Sequence, residues 1–366
     1  MNKREFVKCL ALSGGGLVLY PFKIETLEIM DVLKEASYYT TTARGIKCQI
    51  CPNECDIKPG ERGDCRTRLR KDNKLFATAY SNPCAINIDP IEKKPLFHFY
   101  PSSTAYSLAI AGCNLACLNC QNWSISQTSP DKTKNIRLTP AELVEQAVLN
   151  NCKSIAYTYS EPIVFFEYVR DSAIIAKQKN IKTVFVSNGY INEKPLREIS
   201  KYLDAANIDL KSFSDEIYLK LNGGKLEPIL RTLKIMKELN VWLEITNLVI
   251  PSWTDDFKMI RDMCKWLKTN GFENTPLHFS RFHPLYKLTQ LPPTPVVTLE
   301  NARKIALDEG LNYVYTGNVP GSKSSNTVCP ACKNIIVERK GFTIIKLSIT
   351  SGNCTYCNNP IPGHWA

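Results

Sequence analysis

The chain has 366 residues, a formal net charge of +11, 44% hydrophobic and 22% charged residues. That length exceeds a small disulfide-stapled scaffold and suits two or three domains, or one barrel with appendages; the balanced composition excludes a disordered or collagen-like chain. The 46 basic residues outweigh 35 acidic ones and favour anionic ligands, but they are scattered, with no block longer than pairs such as Lys93-Lys94, so no nucleic-acid stripe is expected.

Residues 1–43 form a leader-like or irregular segment. Met1-Asn2-Lys3-Arg4 precedes a weakly apolar run from Cys9 to Tyr20 that contains Gly14-Gly15-Gly16. The string Lys3-Arg4-Glu5-Phe6-Val7-Lys8 has the outline of a degenerate twin-arginine signal, but no small-residue cleavage site follows near Tyr20-Pro21. A cytoplasmic functional form is expected, with export as the alternative. No stretch approaches the ~18 to 20 consecutive apolar residues of a membrane-spanning helix.

Residues 44–104 are rich in turn formers and carry a first cysteine group, Cys48, Cys51, Cys55 and Cys65. Between residues 105 and 321 short apolar runs alternate with amphipathic stretches, the pattern of repeated strand-helix units around a parallel sheet. Strands are predicted at 107–111, 154–158, 183–187, 205–210, 241–249, 277–282 and 312–315. Thr139-Pro140-Ala141-Glu142 predicts a capped helix start: threonine caps, proline suits the first turn and glutamate reaches back. A closed eight-unit barrel takes about 250 residues, so this core predicts an α/β fold with six or seven units, an incomplete TIM-like barrel with an open side. After Gly321-Ser322-Lys323-Ser324-Ser325-Asn326, residues 322–366 form a second small module with Cys329, Cys332, Cys354 and Cys357.

Fifteen cysteines in tight groups point to metal and a reducing compartment, because sulfurs two or three residues apart converge on one point rather than closing long disulfide loops. Cys329, Cys332, Cys354 and Cys357 have zinc-ribbon spacing, favouring zinc over a rubredoxin-like iron, with His364 as a spare ligand. The N-terminal four suit either zinc or an auxiliary iron-sulfur cluster that relays electrons. Cys84, Cys152 and Cys264 are isolated and read as buried residues. The central group Cys113, Cys117 and Cys120 follows the first predicted barrel strand. Three thiolates hold three irons of a four-iron cluster and leave the fourth open to substrate or cofactor. The alternative, one buried face of a helix, is disfavoured by Gly112 and the intruding Asn114, Asn119 and Asn122.

Cys113-x3-Cys117-x2-Cys120 after a strand in such a core resembles the radical S-adenosylmethionine (radical SAM) superfamily, and the chain resembles its branch of glycyl-radical-enzyme activases. Asp89-Pro90-Ile91-Glu92-Lys93-Lys94-Pro95-Leu96-Phe97-His98-Phe99, with the N-terminal cysteines, narrows the resemblance to the AmmeMemoRadiSam system radical enzymes, from about residue 44 onward. The resemblance implies a [4Fe-4S] cluster and S-adenosylmethionine, cleaved to methionine and a 5′-deoxyadenosyl radical that abstracts hydrogen from a substrate. It also implies an electron donor such as flavodoxin or ferredoxin, a protein or small-molecule substrate, and partner proteins of that system. Tyr159-Ser160-Glu161-Pro162 resembles a Gly-Gly-Glu-Pro turn that meets the cofactor's amino group, with both glycines replaced. Ser187 and Asn188 resemble a ribose-facing turn, Asp209 and Lys211 the next one, and His283 a residue near the adenine. Where related activases carry an arginine before the 251–256 turn, this chain has Thr246 and Asn247.

Two competing classes make different predictions. An electron-transfer or metal-binding scaffold would show redox activity without 5′-deoxyadenosine, and a zinc-ribbon nucleic-acid binder would show affinity falling steeply with salt. The three-thiolate loop favours the enzyme, since a missing fourth ligand serves catalysis rather than simple electron transfer.

Overall fold

A computed structural model describes residues 33–43 and 45–365; the leader-like run and its twin-arginine-like string lie outside the described residues. The centre is an eight-stranded sheet whose strands follow one another in chain order: β1 (Ala85–Pro90), β2 (Thr104–Ala109), β3 (Ser154–Tyr157), β4 (Lys182–Ser187), β5 (Ala205–Asp209), β6 (Trp242–Val249), β7 (Leu277–Arg281) and β8 (Val314–Gly317). From β2 to β8 every pairing is parallel, while β1 runs antiparallel to β2. The first and last strands are not hydrogen-bonded to each other, so the sheet is an unclosed α/β barrel wall of the kind the repeat count predicts.

Parallel strands need crossover connections, and helices α1 (Pro140–Leu149), α2 (Phe166–Gln178), α3 (Glu193–Ile199), α4 (Glu227–Glu238), α5 (Phe257–Thr269) and α6 (Val296–Asp308) supply them. At the start of α1 the Thr139 hydroxyl accepts from the Glu142 amide, and the Glu142 carboxylate accepts from the Thr139 amide at 2.7 Å. The strands are buried on both faces, with Ser154, Ile155, Ala156 and Tyr157 all buried along β3, hence their continuous apolar runs.

The edge strand β1 was absent from the sequence-based strands and lies inside the segment read as cysteine-rich. It escapes the apolar-run criterion because Asn87 and Ile88 are exposed and only Asp89 is buried. Ahead of it, short antiparallel strands (Tyr39–Thr42, Gly45–Cys48, Asp56–Ile57) carry the first cysteines. After β8, strands Thr327–Val328, Ile335–Lys340 and Thr343–Leu347 form a small sheet beside the last four cysteines. No helix among the described residues is long and apolar enough to cross a membrane.

Candidate metal and cofactor site at the strand ends

Parallel strands all end on the same side of a sheet, so the turns after β2, β3, β4 and β5 meet there. The loop after β2 carries Cys113, Cys117 and Cys120. Its shape is held from three directions. Ala116 and Leu118 amides donate to the carbonyls of Asn222 and Leu221, at 2.8 and 2.9 Å; the Gln127 amide group donates to Leu115 O at 3.1 Å; Asn114 Nδ2 donates to Tyr190 O at 2.7 Å.

Three N–H groups point at the loop's sulfurs. Leu115 N lies 3.4 Å and Asn188 Nδ2 3.7 Å from Cys113 Sγ, and Asn222 Nδ2 lies 3.2 Å from Cys117 Sγ. Burial, with the nearby Glu161 charge, pushes the Cys113 thiol well above its ordinary range, so binding iron there must release protons. Three thiols on one loop, each beside partly buried polar donors, fit an iron-sulfur cluster, whose sulfurs take up such N–H groups.

Glu161 is buried, with 2% exposure, and ties two turns together. Its carboxylate accepts from Ser187 Oγ at 2.7 Å, from the Asn188 amide at 2.8 Å and from the Ile163 amide at 3.1 Å. Burial outweighs these bonds and pushes its pKa up to about 7. Lys211 pairs with Asp209 at 2.8 Å; burial opposes its charge, but Asp209 and the Cys117 thiol hold its pKa above the ordinary value. The structure therefore gathers Glu161, Ser187, Asn188, Asp209 and Lys211 around the cysteine loop. His283 is exposed, two residues after the end of β7.

The Tyr159-Ser160 replacement keeps a glycine-like backbone: Tyr159 has φ +64°, a left-handed conformation glycine adopts freely. Asn122 Nδ2 donates to its carbonyl at 2.6 Å. The Tyr159 ring turns toward β1, where its hydroxyl donates to Asp89, which also takes Lys93 at 2.8 Å and Lys94 at 2.6 Å. Burial pulls the Lys94 pKa down to about 8. The positions with no activase arginine are filled by amide contacts: Thr246 Oγ1 donates to Asn207 Oδ1 and Asn247 Nδ2 to Leu210 O, each at 2.8 Å.

Sequence reasoning missed Asn222 and the Tyr159–Asp89–Lys94 group. The signal for Asn222 was its place before Gly223-Gly224: residues 218–222 form one wide π-type turn ending in Gly223 at φ +73°, a feature common at functional sites.

The family model described as the Radical SAM superfamily matches residues 108–267, from the end of β2 to the last turn of α5. An uncharacterized protein of Methanocaldococcus jannaschii is 46% identical over 332 residues, covering 90% of this chain and 99% of that relative. The chain belongs to the radical SAM superfamily. This radical SAM enzyme is also 27% identical to pyruvate formate-lyase 1-activating enzyme of Escherichia coli over 218 residues, 56% of this chain and 89% of that one. Among solved structures, SuiB of Streptococcus suis bound to S-adenosylmethionine aligns at 15% identity and a TM-score of 0.46, over 62% of this chain and 53% of that chain.

The C-terminal four cysteines make a different kind of site. All four sulfurs lie within 4.8 Å of one another, with Cys329 to Cys357 at 3.7 Å and Cys332 to Cys354 at 3.8 Å. Bonds of about 2.3 Å to one tetrahedral ion give sulfur pairs about 3.8 Å apart, which these two pairs match. His364 lies elsewhere, packed against Phe99, Tyr100 and Trp242.

Proposed function

We propose that Cys113, Cys117 and Cys120 hold three irons of a [4Fe-4S] cluster and that S-adenosylmethionine binds at the open iron, against Glu161, Ser187, Asn188, Asp209, Lys211 and His283. The chemistry supplied there is one-electron cleavage of S-adenosylmethionine to methionine and a 5′-deoxyadenosyl radical, which takes hydrogen from the substrate. The supporting observation is that amide side chains from two separate segments, Asn188 after β4 and Asn222 in the 218–222 π-type turn, donate to sulfurs of this one loop.

The chain's own residues orient and shield. Glu161 clamps the Ser187-Asn188 turn, whose side chains then flank the cysteine loop. Lys211, paired with Asp209, sets a positive charge beside the cysteine loop and would face a cofactor carboxylate, a task an arginine performs in related activases. Tyr159, Asp89 and Lys94 form a partly buried hydrogen-bonded group beside the Ser160-Glu161 turn and would help keep water from the cofactor when it is bound.

The substrate reading extends to hydrogen abstraction from a protein glycine, supported by the similarity to pyruvate formate-lyase activating enzyme, within an AmmeMemoRadiSam-type set of partner proteins and with a cytoplasmic flavodoxin or ferredoxin as donor. The cysteine-bearing stretch ahead of β1 and residues 322–366 serve as metal-stapled flanking modules to a core that begins at β1, the latter holding zinc on Cys329, Cys332, Cys354 and Cys357. The test is anaerobic reconstitution with S-adenosylmethionine and dithionite. The native chain forms 5′-deoxyadenosine and methionine and Cys117→Ala forms neither; an intact, reducible cluster that cleaves nothing would refute the cofactor site.

A further inference from the structure

The four N-terminal thiols converge, but not as the ligands of one ion do. Cys48, Cys51 and Cys65 are buried and Cys55 half-buried, and the Cys65 thiol acts electrostatically on each of the other three. Among the described residues, the C-terminal four are the cysteines whose sulfurs all close to within 4.8 Å, and the N-terminal four do not form such a group. A single tetrahedral ion needs every sulfur pair at about 3.8 Å. A four-iron cluster takes one thiolate per iron and holds its thiolates further apart.

A second, independent feature is a buried cation with free donors. Arg68 has no exposed surface. Its Nη1 donates to Glu167 Oε1 at 2.8 Å and to Ser37 O at 3.4 Å, while Nε and Nη2 have no partner. Besides Glu167, the ionisable groups coupled to its charge include Cys48 and Cys65. Buried N–H groups require acceptors, and the sulfides and thiolates of a cluster held by these cysteines would supply them.

The group also abuts the central loop. Gly112, just before Cys113, has φ +109°, and a Cβ there would lie 2.5 Å from both Cys65 O and Thr67 Cγ2. Asn53 Nδ2 donates to Asn114 O at 2.9 Å and Arg66 Nη1 to Cys113 O at 3.4 Å. Only a glycine at 112 lets the two cysteine segments approach this closely.

We propose that Cys48, Cys51, Cys55 and Cys65 hold a redox-active four-iron, four-sulfide cluster, hydrogen-bonded by Arg68, that passes single electrons to the group held by Cys113, Cys117 and Cys120. The relay rests on the reading of the central site above, whereas the cluster itself does not. In each transfer the N-terminal cluster takes one electron from a low-potential carrier protein, which is oxidised, and yields it to the central group, which is reduced. No covalent bond forms or breaks and no proton moves.

The full chain carrying Cys113→Ala, Cys117→Ala and Cys120→Ala, reconstituted anaerobically, tests the cluster by iron, zinc and acid-labile sulfide content and by EPR after dithionite. About four irons and four sulfides should remain with a reduced-cluster spectrum, and both should vanish on adding Cys51→Ser and Cys65→Ser. Zinc or a lone iron with no sulfide at these residues overturns the proposal. Arg68→Lys in the same background keeps the charge and should keep the sulfide while lowering the midpoint potential; an unmoved potential removes Arg68 from the assignment. For the relay, Cys51→Ser with Cys65→Ser in the otherwise native chain should cut 5′-deoxyadenosine formation at least tenfold with reduced flavodoxin and leave it intact with dithionite. Equal loss with both donors overturns the relay. A native chain that cleaves nothing with either donor refutes the central reading instead, and the sulfide count still decides the cluster.

Discussion

On the proposed reading of the central loop, Asn222 would tune chemistry it does not perform. Its amide donates to Cys117 Sγ from 105 residues away, and an N–H bond to a cluster sulfur stabilises the reduced, more negative state. Asn222→Ala should therefore lower the midpoint potential of the central cluster in an EPR redox titration, at unchanged iron and sulfide content; an unchanged potential would leave the asparagine a purely structural role. Glu161 acts differently, since its two oxygens satisfy three donors in the interior. Replacing it by glutamine turns one acceptor into a donor facing the Asn188 amide or the Ser187 hydroxyl. The expected cost is about 1–3 kcal/mol in denaturant unfolding, with 5′-deoxyadenosine formation reduced as the Ser187-Asn188 turn loosens.

At the scale of elements, α1 and the C-terminal ribbon are held by local devices. The Thr139 capping box satisfies helix donors that α1 would leave orphaned, so Thr139→Ala should destabilise the protein by about 1 kcal/mol, read as a shift in denaturant midpoint with unchanged slope. The ribbon has a core of few residues, among them Ile336, Val337, Ile349 and Ile361, and a segment of this size needs a staple. Cys354→Ser should remove one metal ion per chain and no sulfide, and expose strands Ile335–Lys340 and Thr343–Leu347 to limited proteolysis while the eight-stranded sheet stays protected. Loss of sulfide with that ion would contradict a single-ion site.

Across the whole molecule, a buried polar network fastens the ribbon to the floor of the sheet. Glu244 on β6 accepts from the amides of Phe97 and His98 and from His278 Nε2, at 2.9, 2.7 and 2.7 Å. The His98 ring contacts Pro362 O at 2.8 Å and Tyr315 Oη at 2.6 Å, and Arg339 Nη2 donates to Phe97 O at 2.9 Å from the ribbon. Burial pulls the His98 pKa down to about 4 from an ordinary 6.5. On acidification the unfolded chain thus binds this proton first. Stability from neutral His98 is complete above about pH 6.5 and drains away toward pH 4, by up to about 3 kcal/mol. Urea unfolding of the native chain between pH 7.5 and 4.5 should show that slope, and His98→Gln should be less stable at neutral pH but flatter; equal slopes would exclude His98 as the acid-sensitive group.

Much of this was legible in the residues themselves. The Thr139 cap, the strand positions from 154 to 282 and the three cysteine groups are short-range patterns: a cap spans four residues, a buried strand is a short apolar run, and a Cys-x2-Cys turn leaves two residues between its sulfurs. Their geometry follows from backbone rules that hold wherever the segment lies. The edge strand β1 was not legible, because an edge exposes one face and its half-polar sequence resembles a loop. Arg68 with Glu167, 99 residues apart, and Glu244 with His98, 146 apart, were not legible either. Thus the sequence alone determined that this chain builds a repeated α/β core around a three-cysteine loop, with two further groups of closely spaced cysteines. Tertiary structure alone decided which polar groups face those sulfurs and how closely the thiols close together, since burial and low dielectric make distant partners obligatory only once the fold has brought them into contact.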